Sequence, residues 1–293
     1  HRGFSHSFIV HLLISPLIVW LILKIHSGMQ IHKARWFWLV FLCLSTHALL
    51  DSFTVYGTQL IWPLSDHPYA ISNIFIIDPL YTLPLLLAFL CTLIPKIHTP
   101  RIYKINAAML VLSSLYLCSS LILKVIINNK IDAAFAHKHI HINNYVSTPA
   151  PLTTLLWRVV AMSDGQYYIS YASVFDSPEE VTINRYNTSP ALLNDIKNEW
   201  GVQRLQWFTK GFYSVKEQQN KIVLTDLRMG MECYYVFNFA VGEKTNKGVQ
   251  VSNFEKLNQR SNLSSLSKVW GRIWSPDVSL APPYADKNCM KTP

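Results

Sequence analysis

His1, His6, His47 and Asp51 are the residues whose types and spacing best suit them to chemistry. The first two lie in His1-Arg2-Gly3-Phe4-Ser5-His6-Ser7, the others in His47-Ala48-Leu49-Leu50-Asp51, at either end of an apolar stretch. Imidazole and carboxylate are the usual ligands of zinc and related divalent ions. On a helix, His47 and Asp51 are four residues apart and project from one face, so they can share one ion. His1 and His6 are five apart and share no helix face. They fit a loop and the first turn of a following helix, with Ser5 or Ser7 as its cap. Such groups inside apolar sequence are costly unless paired, which argues for function.

Two further residues are candidates for catalysis. Arg2 would offset negative charge developing in a transition state, or orient a phosphate or carboxylate; alternatively it snorkels toward lipid headgroups. Asp78 lies in a long apolar run directly before Pro79. It reads equally as a helix-end cap at a proline break and as a metal ligand or general base. A divalent ion would lower the pKa of a bound water and polarise the bond under attack, with Asp78 taking the proton. Rival nucleophile patterns are missing: there is no GxSxG, no Cys–His motif and no phosphate-binding glycine loop. His137, His139 and His141 form a second histidine run. In an extended strand their rings would point the same way and could hold a metal; the alternative is a solvated segment beside a membrane.

The elements that must position these groups are four apolar segments: Phe8–Leu23, Trp36–Leu50, Ile71–Ile94 and Ala107–Leu123. A bilayer span takes about 20 apolar residues, so the first two are marginal unless extended into the motifs. A soluble all-α core is the alternative. The first 146 residues carry ten Lys/Arg against four Asp/Glu, and the remainder sixteen against thirteen. Most of the excess positive charge therefore lies beside apolar segments, as in a membrane protein, and no basic stripe with interleaved aromatics suggests nucleic acid. Lys24, Lys33 and Arg35 follow the first segment; Lys96, Arg101 and Lys104 follow the third; residues 51–70 contain no Lys or Arg. The positive-inside rule makes those two basic loops cytoplasmic. Both histidine motifs and everything after Lys124 then lie on the opposite side.

The expected fold is a multi-pass helical membrane domain of about four helices over residues 1–128, a linker over 129–150, and a small soluble α+β or mostly β domain over 151–293. In the last, strands are expected at Leu155–Met162 and Gln166–Val174 around a Ser163-Asp164-Gly165 turn. Further strands are expected at Val202–Phe208, Gly211–Val215, Lys221–Asp226 and Tyr234–Val241. A helix running from Ser189-Pro190 to about Trp200 is expected too. Cys43, Cys91 and Cys118 read as packing residues; Cys233 and Cys289 can pair in an oxidising compartment. The first residue is His and already lies inside a motif, so the chain reads as a fragment or processed form.

The stretches HRGFSHS (His1–Ser7), HALLDSFTVYGT (His47–Thr58), WPLSD (Trp62–Asp66) and IIDPLYTLPLL (Ile76–Leu86) resemble the YdjM-like family. Leu155–Ala161, Trp207–Tyr213 and Asp226–Gly230 look like long members of it. That family comprises bacterial inner-membrane-associated, predicted metal-dependent hydrolases. The resemblance implies a multi-helix membrane protein of the bacterial inner membrane, whose members usually begin with a further Asp-containing membrane segment. HxxxD on a helix is also similar to all-α zinc phospholipases C and related nucleases, which favours phosphoester substrates. The expected function is a membrane-bound hydrolase, with zinc as the divalent ion, acting on a lipid or other phosphoester at the membrane face. The rival is a non-catalytic metal-binding or transport-related membrane protein. An open coordination position beside a base separates the two.

Overall fold

The computed structural model describes residues 2–26, 28, 32–93, 100–246, 248–257 and 266–280. His1, Lys96 and Cys289 lie outside them. The chain divides into two compact units, 1–76 and 77–293.

The first unit is a helical hairpin. After a single 3-10 turn, Phe4–His6, helix α1 runs over Phe8–Ile25 and α2 over Lys33–Ser52. Ser7 caps α1 by accepting a hydrogen bond from the Ile9 amide, and its hydroxyl donates to the Trp62 carbonyl at 2.5 Å. Residues 53–76 fold back as an irregular loop. It is tied to the N-terminal strip by bonds from the Gln59 amide to Arg2 O and from the Phe8 amide to Leu60 O. Gly57, at φ +90°, is required here: a Cβ would stand 2.9 Å from both the side chain and the carbonyl of Pro68.

The second unit begins with α3 (Pro79–Thr92) and α4 (Pro100–His137). Eight of its strands form two four-stranded antiparallel sheets. The first is a meander of β1 (Asn144–Pro149), β2 (Leu156–Ser163), β3 (Gln166–Ser173) and β4 (Thr182–Asn187). The expected hairpin is present, turning at Asp164-Gly165 with Gly165 at φ +67°. A 3-10 stretch, Pro190–Ile196, and helix α5 (Trp200–Thr209) lead to β5 (Tyr213–Gln218) and β6 (Lys221–Asp226). The short pair β7 (Gly230–Met231) and β8 (Tyr234–Tyr235) intervenes before β9 (Asn238–Thr245) and β10 (Gly248–Leu257). These complete a second sheet in the order β10-β9-β6-β5, and α6 (Leu266–Trp274) follows.

Strand alternation explains the core. On β2, Leu156 and Val160 enter one cluster with Phe212, Leu227, Val269 and Ile273. Trp157, Val159 and Ala161 point to the opposite face, against Ile127, Ile131, Ala134 and Phe135 of α4. Those four α4 residues stand at i, i+4, i+7 and i+8, a helical stripe. This overturns the linker reading of 129–150. The polar residues Lys130 and Asp132 lie within a helix that runs to His137, off that stripe, and β1 begins at Asn144.

Two of the described helices, α1 and α4, are long and apolar enough to cross a membrane. Only 22% and 17% of their most apolar windows are buried, whereas a soluble core helix is mostly buried. The sheets exclude the all-α alternative. The expected third segment shortens to 14 residues, because Asp78 and Pro79 start the helix only after an irregular approach over residues 71–77. Helix α2 has the length of a span but carries Lys33, Arg35, His47 and Asp51. In the sheet domain Val202–Phe208 is helix, not strand: Val202 and Thr209, seven apart, are buried on one face. Cys233 is disulfide-bonded.

Candidate metal centre

The antiparallel α1–α2 hairpin brings the start of one helix to the end of the other. His6 ends the 3-10 turn before α1, and His47 and Asp51 occupy the last two turns of α2. One ligand atom from each of the three lies within 4.8 Å of the others. His6 Nε2 is 3.4 Å from Asp51 Oδ2, and His47 Nε2 is 3.9 Å from the same oxygen. The two imidazole centroids are 5.6 Å apart. Two imidazoles and a carboxylate are a zinc-type donor set, so the residues present fit such an ion.

Arg2 completes the cluster. Its Nη2 is 3.1 Å from Asp51 Oδ1, and its Nη1 donates to Thr54 Oγ1 at 2.7 Å and to the Asp51 carbonyl at 3.3 Å. The guanidinium lies over the Tyr56 ring, 5.1 Å from its centroid. Arg2 thus holds one carboxylate oxygen and leaves the other facing both imidazoles. Asp51 is 16% exposed, His6 22% and His47 68%, so the cluster is approachable from the His47 side. Burial holds the His6 imidazole below its usual range, although the Asp51 carboxylate pulls it up; His47 and Arg2 add to the lowering. A neutral ring carries the lone pair a cation needs.

His1 lies outside the described residues. Asp78 belongs to the second unit, where it caps α3: Oδ1 accepts from the Leu80 and Tyr81 amides at 3.0 and 3.2 Å, and Oδ2 accepts from the Tyr116 hydroxyl at 2.9 Å. Asp78 is 2% exposed with both oxygens engaged, so the capping role is the one its geometry realises. His137 ends α4, His139 follows in a turn at φ 53°, and the strand begins only at Asn144. The convergent-strand arrangement therefore does not form. Among the described residues, His6, His47 and Asp51 are the group placed to hold a metal. Tyr56 is the neighbour that spacing did not single out, since only the loop's return brings its ring under Arg2.

Residues 1–127 match the YdjM inner membrane protein family. The YdjM match contains every candidate ligand, α1 to α3 and most of α4; it ends at Ile127, before the sheets. The likenesses at Leu155–Ala161, Trp207–Tyr213 and Asp226–Gly230 lie beyond the matched residues. Neither the curated proteins nor the solved structures compared with the chain yield a match.

Proposed function

We propose that this chain is a bacterial inner-membrane, metal-dependent hydrolase acting on a phosphoester or lipid-linked substrate at the membrane face. The observation that carries this reading is the convergence of His6, His47 and Asp51 within 4.8 Å on an approachable side of the α1–α2 hairpin. Two histidines and a carboxylate are the protein ligands of several catalytic zinc sites, which keep a fourth position for water or substrate. A divalent ion there, zinc by its donor set, supplies Lewis acidity and a water that ionises near neutral pH. Arg2 holds Asp51 in place and presents its remaining donors to an anionic group. Asp78 is retained as a structural cap.

The non-catalytic alternative is separated by His47→Ala. In the catalytic reading the purified full chain in detergent loses bound zinc and phosphodiesterase or lipid-phosphatase turnover, while its circular dichroism is unchanged. A structural site makes metal affinity part of folding free energy, so fold and metal would disappear together. Zinc retained by His47→Ala overturns the site. Asp78→Asn is the companion control and is expected to keep both zinc and turnover.

The topology proposed is multi-pass, with the Lys24–Arg35 connection cytoplasmic and the sheet domain outside the cytoplasm. Support comes from the basic residues flanking α1 and α2 and from the disulfide at Cys233, which fits an oxidising compartment. Helix α3, at about 21 Å, is shorter than the roughly 30 Å hydrocarbon core; a four-crossing arrangement needs its flanks to complete the span. A periplasm-specific reporter fused after Pro293 should be active, and activity from a cytoplasm-specific reporter would refute this placement.

A further inference from the structure

His11 is the polar residue of α1 with the least evident reason to be there. It is 4% exposed in the first turns of an apolar helix, and an imidazole so placed is costly unless both nitrogens are satisfied. Its Nε2 lies 3.0 Å from the Ser5 carbonyl, which can only accept, so Nε2 carries the proton. That leaves Nδ1 as an acceptor. Ser45 of α2 supplies a donor: its hydroxyl is 3.4 Å away, long but aimed at a buried ring. Ser45 is itself 8% exposed and stands two residues before His47.

Ser5 is the pivot. Its carbonyl is held by His11, and its hydroxyl lies 3.0 Å from His6 Nδ1. For His6 Nε2 to offer a lone pair to a cation, the ring proton must sit on Nδ1, and Ser5 Oγ is there to accept it. One chain of contacts therefore runs from α2 through α1 to the turn that carries His6: Ser45, His11, Ser5, His6.

We propose that His11, through Ser5 and braced by Ser45, is a positioning residue that fixes the ring orientation and tautomer of His6 for metal binding. This rests on the metal-site reading above. Such outer contacts change metal affinity by about 10–100-fold when removed, without themselves touching the ion.

The test is Co2+ titration of the full chain in detergent, followed by the ligand-field absorption of the bound ion. His11→Ala is expected to weaken Co2+ binding about 10–100-fold and to alter the band shape. His11→Gln, whose amide can donate to the Ser5 carbonyl, should recover most of the affinity. Ser5→Ala, at an exposed position, should weaken binding in the same direction with the fold intact, so the inference survives a His11→Ala protein that fails to fold. Wild-type affinity and spectrum in Ser5→Ala and in His11→Ala, with Co2+ lost in His47→Ala, would overturn the inference while leaving the metal site standing. No Co2+ binding by the wild type overturns both.

Discussion

Asp51 in the helical unit and Asp176 in the sheet domain each face an arginine, but the two pairs have opposite consequences. Asp176 is sealed: Arg272 Nη1 and Nη2 donate to Oδ1 and Oδ2 at 3.0 and 2.7 Å, the Ser173 amide donates to Oδ2 as well, and both side chains are 3% exposed. Asp226 and Arg228 repeat the arrangement at 2.9 and 2.6 Å. Each oxygen of these two carboxylates is engaged within the fold. Asp51 gives one oxygen to Arg2 and keeps the other between two imidazoles, at an edge water and ligands can reach. Residue type does not separate the enclosed carboxylates from the one in the candidate site; the acceptor capacity left over does.

Glu232, also in the sheet domain, is enclosed in a similar way. Its carboxylate accepts from the hydroxyls of Tyr167 and Tyr235 and faces Lys216. Burial foremost, with this carboxylate adding to it, drives the Tyr167 phenol far above its usual range. A carboxylate so enclosed fastens the β7–β8 hairpin to the first sheet and offers nothing outward.

Removing one partner from each pair should affect the two carboxylates differently. Arg272→Ala strands a buried carboxylate and should destabilise the sheet domain by about 3–5 kcal/mol. Denaturant unfolding monitored by near-ultraviolet circular dichroism reads this out, and a loss below about 1 kcal/mol would place this pair with ordinary exposed ones. Asp51→Ala should behave in the reverse manner. Wild-type protein in zinc a hundredfold above its dissociation constant should gain about 2.7 kcal/mol, and the variant should lose that gain. In chelator the same substitution should cost below about 1 kcal/mol, since the Arg2 pair is partly exposed. A thermal midpoint that falls steeply in chelator would make Asp51 a structural residue like Asp176.

Much of the site was legible because its signals are local. An imidazole and a carboxylate four residues apart on a helix share a face whatever the rest of the chain does. The β2–β3 hairpin was legible for the same reason, through β-favouring runs around Asp164-Gly165. The α4 extension was missed because polar residues on its outer faces masked the stripe Ile127, Ile131, Ala134 and Phe135, whose purpose appears only when β2 and β3 are laid against it. Val202–Phe208 was misjudged because a short apolar run suits strand or helix until its neighbours choose.

By itself, then, the sequence determined the candidate ligand types, their helical spacing, the membrane character of the first part and the β character of the last. Tertiary structure alone decided which carboxylates are free. It assigned Asp78 to the α3 cap and Tyr116, sealed Asp176 and Asp226 against arginines, and put Arg2 on one oxygen of Asp51. It also decided why His11 is tolerated in an apolar helix. The physical reason is that hydrogen-bond satisfaction depends on groups that meet only after folding: each of these partners is supplied by a different turn, helix or strand, and spacing along the chain carries no record of which will meet.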